Sequence, residues 1–215
     1  MGRTVRTIAF ALSAVLTLPS AAVAGTEGEL AAAEAGTEAY QDPAAAEAAG
    51  YGLPPEGPLH ECIASLDDTG AMGLHYINGD LVADAELDPA TPEALVYEPA
   101  ADGSLSLVAV EYVVFAEAWD ADNEMAPMLF GEMFMLVDEP NRYELPAFYA
   151  LHAWIWRENP SGTFTNFNPD VSCANAMPNT AVSGPAPRLP LGFSLGLVAA
   201  VAVAVGLSLL RRRRT

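Results

Sequence analysis

Hydrophobic positions follow three different rules along this chain. At the ends they run unbroken, from Ile8 to Leu18 behind Arg3 and Arg6, and from Leu189 to Leu210 ahead of Arg211, Arg212, Arg213 and Arg214. Residues 25–50 are rich in Ala, Glu and Gly, with no strong apolar stripe. From Gly73 onward the pattern turns to short runs of Val, Leu, Tyr, Phe and Trp separated by turn residues, which predicts strands.

Taken alone, the Ala-rich segment reads as a spacer, but its punctuation is that of a helix. Asp42 stands at an N-cap position and Pro43 at the first helical position, Ala44 to Ala49 are helix formers, and Gly50 marks a stop. Glu29 to Tyr40 predicts a preceding helix that must pack on something to persist. Residues 25–58 are therefore expected to form a helical arm.

Five runs predict strands: Gly73 to Ile77, Ala94 to Glu98, Ser104 to Phe115, Glu132 to Val137 and Phe148 to Trp156. Asp102-Gly103 sits at hairpin spacing between the second and third, so these are expected to pair antiparallel. Asn159-Pro160-Ser161-Gly162 and Asn168-Pro169-Asp170 read as turns. The expected fold class is α+β, with residues 59–176 forming a mostly antiparallel small β-barrel or sandwich, the helical arm before it, and one C-terminal transmembrane helix.

The two unbroken runs change the setting. Residues 1–24 have the order of a signal peptide, with Ala22-Val23-Ala24 supplying small residues for a cut after Ala24. About 20 apolar residues span a bilayer, and arginines hold the following end in the cytoplasm. The expectation is a membrane-spanning helix over 191–210, a cytoplasmic tail over 211–215 and a Pro-rich stalk over 177–190. Met177-Pro178-Asn179-Thr180-Ala181, followed by a spacer, the apolar run and the arginines, resembles the sorting signals cut by sortases. It carries Met and Ala where the usual Leu-Pro-x-Thr-Gly form has Leu and Gly. That resemblance implies cell-wall attachment after Thr180; without the cut, the chain stays a single-pass membrane protein.

Charge narrows the partners. The exported part holds all 28 acidic residues against Arg142, Arg157 and Arg188, a formal charge of −25, and the chain has no lysine. Such a field repels phosphate backbones, so nucleic acid is not expected as a partner. Cys62 and Cys173, in a chain leaving a reducing compartment, predict one disulfide that brackets the β-rich domain. Closing a loop of that length is worth ~4–5 kcal/mol in the chain-entropy picture.

Candidate chemistry comes from applying the two-residue period of strands. His75 shares a face with Gly73 and Ile77, Glu98 with Val96, Glu111 with Leu107, Ala109 and Val113, and His152 with Ala150, Trp154 and Trp156. A carboxylate among Leu, Ala and Val is costly to bury without a partner. Two readings follow. His75, His152, Glu111 and Glu98 converge on a divalent metal, with zinc, manganese or iron suiting that donor set; or Glu111 pairs with a histidine in a hydrogen-bonded core network.

Three further groups have weaker chemistry. Met125, Met128, Met133 and Met135 offer thioethers for Cu(I), or pliable filling for a core or a loop over an apolar pocket. Asp120, Asp122, Asn123 and Glu124 resemble the start of a calcium loop but lack its turn Gly and closing Glu, which leaves an acidic solvated turn as the other reading. Trp119, Trp154 and Trp156 with Phe164 and Phe167 offer a stacking platform for carbohydrate, or ordinary packing.

Four stretches resemble an uncharacterised group of exported bacterial proteins. They are Ala71-Met72-Gly73-Leu74-His75-Tyr76-Ile77-Asn78, Pro92-Glu93-Ala94-Leu95-Val96-Tyr97-Glu98, Val108-Ala109-Val110-Glu111-Tyr112, and Leu151-His152-Ala153-Trp154-Ile155-Trp156 with Asn159-Pro160-Ser161-Gly162. The resemblance covers roughly Tyr40 to Cys173, implies that the arm belongs to the domain, and brings no activity with it. The sequence thus predicts a surface-anchored binding module with an unidentified ligand, a metal ion among the candidates. A metal-dependent enzyme and a purely structural surface protein are the alternatives.

Overall fold

The computed structural model describes residues 21–176. The expected signal segment up to residue 20, the stalk, the sorting motif Met177 to Ala181, the 191–210 span and the arginine tail lie outside them. Among the described residues no helix is long and apolar enough to cross a membrane.

The arm is helical, as its punctuation predicts. Helix α1 (Ala21–Thr37) runs across Ala24, a 3-10 turn follows at Glu38–Gln41, and α2 (Pro43–Ala48) opens where Asp42 accepts a hydrogen bond from the Ala44 amide at 3.0 Å. Ala33, Ala46 and Tyr51 are buried in the same apolar cluster as Tyr76, Leu95, Tyr97, Tyr112 and Leu151 of the sheet. Small alanines let the helices approach closely, and tyrosine hydroxyls fasten the result. Tyr97 donates to the Tyr40 carbonyl at 2.6 Å, and Tyr51 to that of Pro92 at 2.8 Å. The arm therefore shares a core with the sheet.

The strands are β1 (Ile63–Ala64), β2 (Ala71–Ile77), β3 (Ala94–Pro99), β4 (Leu105–Phe115), β5 (Met128–Leu129), β6 (Glu132–Met133), β7 (Met135–Val137) and β8 (Phe148–Ala153). Short helices α3 (Gly79–Asp84) and α4 (Ala116–Asp120) follow β2 and β4. Six strands form one antiparallel sheet in the order β1-β2-β3-β4-β8-β7, and β5 and β6 make a separate hairpin. The hairpin expected at Asp102-Gly103 joins β3 to β4, with Glu98 opposite Ser106.

The sheet is a curled half-barrel, neither a closed barrel nor a sandwich of two sheets. Its end strands are two and three residues long, too short to meet and seal a barrel. The face that a second sheet would cover is taken by the arm and by Leu129, Phe130 and Phe134. The predicted run Glu132 to Val137 is divided accordingly. Phe134 turns inward with its amide bonded to the Pro127 carbonyl, which separates β6 from β7.

Two local irregularities set the faces. Val96 lies opposite Ala109 and Tyr97 opposite Leu107, so Val108 is the extra residue of a bulge. Leu107 therefore joins the arm-side cluster while Ala109 stays on the other face, which corrects the expectation that Leu107 shares the face of Glu111. The second is Gly73, at φ 125°, where an added Cβ would stand 2.6 Å from the Tyr97 carbonyl oxygen. Only glycine fits there, two residues before His75.

Candidate metal centre

On the face away from the arm, β2, β4 and β8 bring three of the four predicted ligands together. Glu111 lies directly opposite His152, and His75 lies two strands further across the sheet, opposite Val96 on β3. The interval is spanned above small side chains, Ala94 on β3 and Ala109 on β4, both buried. His75 Nε2 is 3.4 Å from Glu111 Oε2 and 3.4 Å from His152 Nε2, and His152 Nδ1 is 3.4 Å from Glu111 Oε1. Each residue offers one ligand atom within 4.8 Å of the others. Among the described residues this is the one group of three or more His, Cys, Asp or Glu with that convergence.

A buried N–H···O hydrogen bond settles at 2.7–3.2 Å, and all three contacts exceed that. They do not share one set of atoms, since His152 turns Nε2 to His75 and Nδ1 to Glu111, and Glu111 turns one oxygen to each histidine. What the metal reading takes from the geometry is the convergence of one ligand atom from each residue within 4.8 Å. His75 Nδ1 is fully buried and makes no hydrogen bond of normal geometry.

Without an ion, burial holds all three groups uncharged. The His75 pKa is pushed down to about 4 by desolvation, and that of His152 well below the usual imidazole range by desolvation and by His75. Glu111 is pushed up to about 8, by desolvation first and then by the charge of Glu93. Ionised carboxylate and neutral imidazole are the ligating forms, so an ion would meet imidazoles already in the required state.

Glu98 does not join the set. By alternation it stands on the expected face, two residues further along β3 than Val96, which is the residue opposite His75. Its carboxylate instead pairs with Arg157 at 2.8 Å and accepts from the Ser172 amide at 3.0 Å. Arg157 is the nearest compensating cation, and it comes from the loop after β8, which strand periodicity does not reach. Trp154 stacks on His152 with centroids 6.3 Å apart. Trp156 leaves the strand and donates to Thr37 of the arm at 3.0 Å, so it does not share the face of His152.

The other candidates are placed elsewhere. Met125, Met128, Met133 and Met135 are exposed rather than core filling, with Met128 opposite Met133 in the β5–β6 hairpin. Asp120 accepts a hydrogen bond from Tyr149, and Asn123 donates to the Trp119 carbonyl, as in an ordinary acidic turn. Trp154 and Trp156 are used in packing, with their indole N–H groups bonded to Thr165 and Thr37. His60 lies outside the cluster, its Nδ1 2.7 Å from the Pro54 carbonyl. Cys62 and Cys173 are joined, Cα atoms 5.6 Å apart, closing the loop that contains every strand.

The cluster forms the floor of a cavity of about 490 Å³, walled by Ile77, Val113, Val137, Leu145 and Phe148. Glu93, just before β3, also lines it and escaped the periodicity argument because it precedes the strand. It is buried, accepts from the Val113 amide at 3.0 Å, and is pushed up to about 8, chiefly by desolvation. Compared with protein families, curated proteins and solved structures, the chain has no match.

Proposed function

We propose that this chain is an exported, surface-held binding module that takes one divalent ion on His75, Glu111 and His152. The single observation that carries the reading is the convergence of one ligand atom from each of these three residues within 4.8 Å of the others. Zinc, manganese or iron fits two imidazoles and one carboxylate. Export is supported by the Arg3/Arg6 and Ile8 to Leu18 pattern, and surface attachment by the Leu189 to Leu210 run with its arginines. Sortase recognition of Met177 to Ala181 would exchange the membrane for the wall. The resemblance to exported bacterial proteins supports the same location.

Metal analysis of the purified full-length chain tests this. One equivalent per chain is expected in the wild type, less than a tenth of that in His75→Ala, His152→Ala and Glu111→Gln, and full content in Glu98→Gln. Metal retained in both histidine variants, or absent from the wild type, overturns the reading.

A second reading is favoured by the cavity. An ion held by these three residues would keep a coordination position open, and the same residues line the cavity, as a catalytic rather than a purely structural metal site would require. In that case the ion would act as a Lewis acid on a bound molecule, with Glu93 as the nearby proton acceptor. Turnover lost in Glu93→Gln with metal content unchanged would distinguish catalysis from binding.

A further inference from the structure

The cavity above the cluster is a built binding site whose chemistry restricts its occupant. Its walls are aliphatic and aromatic, its floor holds His75, Glu111 and His152, and its volume of about 490 Å³ lies in the range of small-molecule sites. Among the described residues no arginine lines it. Arg157 is spent on Glu98, and Arg142 lies over the Tyr143 ring and donates to the Ala64 carbonyl. The lining carboxyls are Glu56 and Glu144, both exposed and so at the mouth, and Glu93 and Glu111 within. A phosphate or sulfonate entering this space would pass two acidic groups and find no arginine fork or lysine to pair with.

Resting on the metal reading above, we infer that the cavity takes a small molecule with an apolar body and one oxygen or nitrogen donor, seated with that donor toward the ion. The apolar body replaces water against Val113, Val137, Leu145 and Phe148, and the donor fills the coordination position that the three side chains leave open. Orientation comes from the ligand-bearing floor of the cavity, and specificity from the length of apolar body that its walls accept.

Cobalt-loaded full-length protein provides a direct readout, because a ligand donor entering the cobalt shell changes its visible absorption. The probes are a straight-chain series of 4-alkylpyridines at pH 8, each with one nitrogen donor and an apolar chain. The spectrum is expected to shift with each pyridine, and affinity to rise about fourfold per added methylene until the cavity fills. Leu145→Trp should fill the cavity and lower pyridine affinity at least tenfold while cobalt stays bound; Ala83→Trp, at an exposed position on the rim, serves the same purpose should the first variant misfold. Bound cobalt with an unmoved spectrum or a flat chain-length series overturns this inference and leaves the metal reading standing. Failure to bind stoichiometric cobalt overturns both.

Discussion

His75 Nε2 and His152 Nε2 stand 3.4 Å apart although two strands separate β2 from β8 in the sheet. Three interstrand spacings of ~4.8 Å amount to roughly 14 Å across a flat sheet, so the approach depends on curl and on the small side chains of Ala94 and Ala109 beneath the imidazoles. Replacing Ala109 with Leu should wedge the two rings apart. The expected result is loss of metal with a destabilisation of about 1–3 kcal/mol, checked by metal analysis beside urea denaturation.

Removal of the metal should leave a pH-sensitive domain. Glu111 and Glu93 are raised to about 8 in the fold. Their contribution to stability is therefore fully present below the ordinary carboxyl pKa and is lost as pH rises through 8. His75 and His152 are lowered, so theirs is present above the ordinary imidazole value and lost as pH falls through about 4 for His75. Above about pH 6.5 only the carboxyls still titrate toward loss. The metal-free protein should show Tm falling between pH 6.5 and 8.5, with a shallower fall in Glu111→Gln. Bound metal favours the ionised carboxylate, so the metal-induced rise in Tm should grow over the same interval. A Tm independent of pH across this range in the metal-free wild type would contradict the burial assigned to these carboxyls.

Glu98 and Glu111 should part company under the same substitution. Glu98→Gln weakens a partly exposed pair with Arg157, whose side chains are 18 % and 35 % exposed, so roughly 0–1 kcal/mol is expected with metal retained. Glu111→Gln should remove the metal. Paired measurements of metal content and urea midpoint decide the matter; equal metal loss in both would return Glu98 to the ligand set.

Gly73→Ala should act on the site from two residues away. The methyl group would press on the Tyr97 carbonyl at a φ of 125°, which no L side chain adopts comfortably. A cost of about 1–3 kcal/mol is expected from backbone strain, with metal affinity reduced as His75 is displaced. Calorimetric titration with zinc and thermal denaturation report the two effects; unchanged affinity would mean that β2 absorbs the shift before His75.

The arm can be tested through one hydrogen bond. Thr37, fully buried, donates to the Ala33 carbonyl at 2.7 Å and accepts from Trp156 at 3.0 Å. Thr37→Val keeps the shape and strands the indole N–H, for an expected loss of about 1–3 kcal/mol. Trp156→Phe on the Thr37→Val background should then cost less than the two single changes together. Additive losses would show that the bond contributes no coupling.

Strand periodicity carried a large share of the fold. Four strands, β2, β3, β4 and β8, lie where β-branched and aromatic runs put them, because burial on a sheet face selects those residues directly. It also placed His75, Glu111 and His152 on apolar faces and so found the cluster. It erred at Leu107 because a bulge at Val108 resets the alternation of β4, and at Glu98 because a cation from the loop after β8, Arg157, takes its carboxylate; neither the bulge nor the loop leaves a mark in a two-residue period. The half-barrel was not legible for a different reason. Whether a sheet closes depends on what covers its other face, and the cover here is an arm whose alanines carry almost no amphipathic signal yet are fully buried at Ala33 and Ala46.

The Cys62–Cys173 bond has a mechanical meaning. A pull between the arm and the tail enters at Cys62 and leaves at Cys173, so the covalent bridge takes the load and the 110 residues between the two cysteines are bypassed. His75, Glu111 and His152 all lie inside that shunted loop. Tension on the chain ends would peel α1 and α2 from the sheet while the cluster stays slack, and only reduction of the bridge would let force reach the strands that carry it.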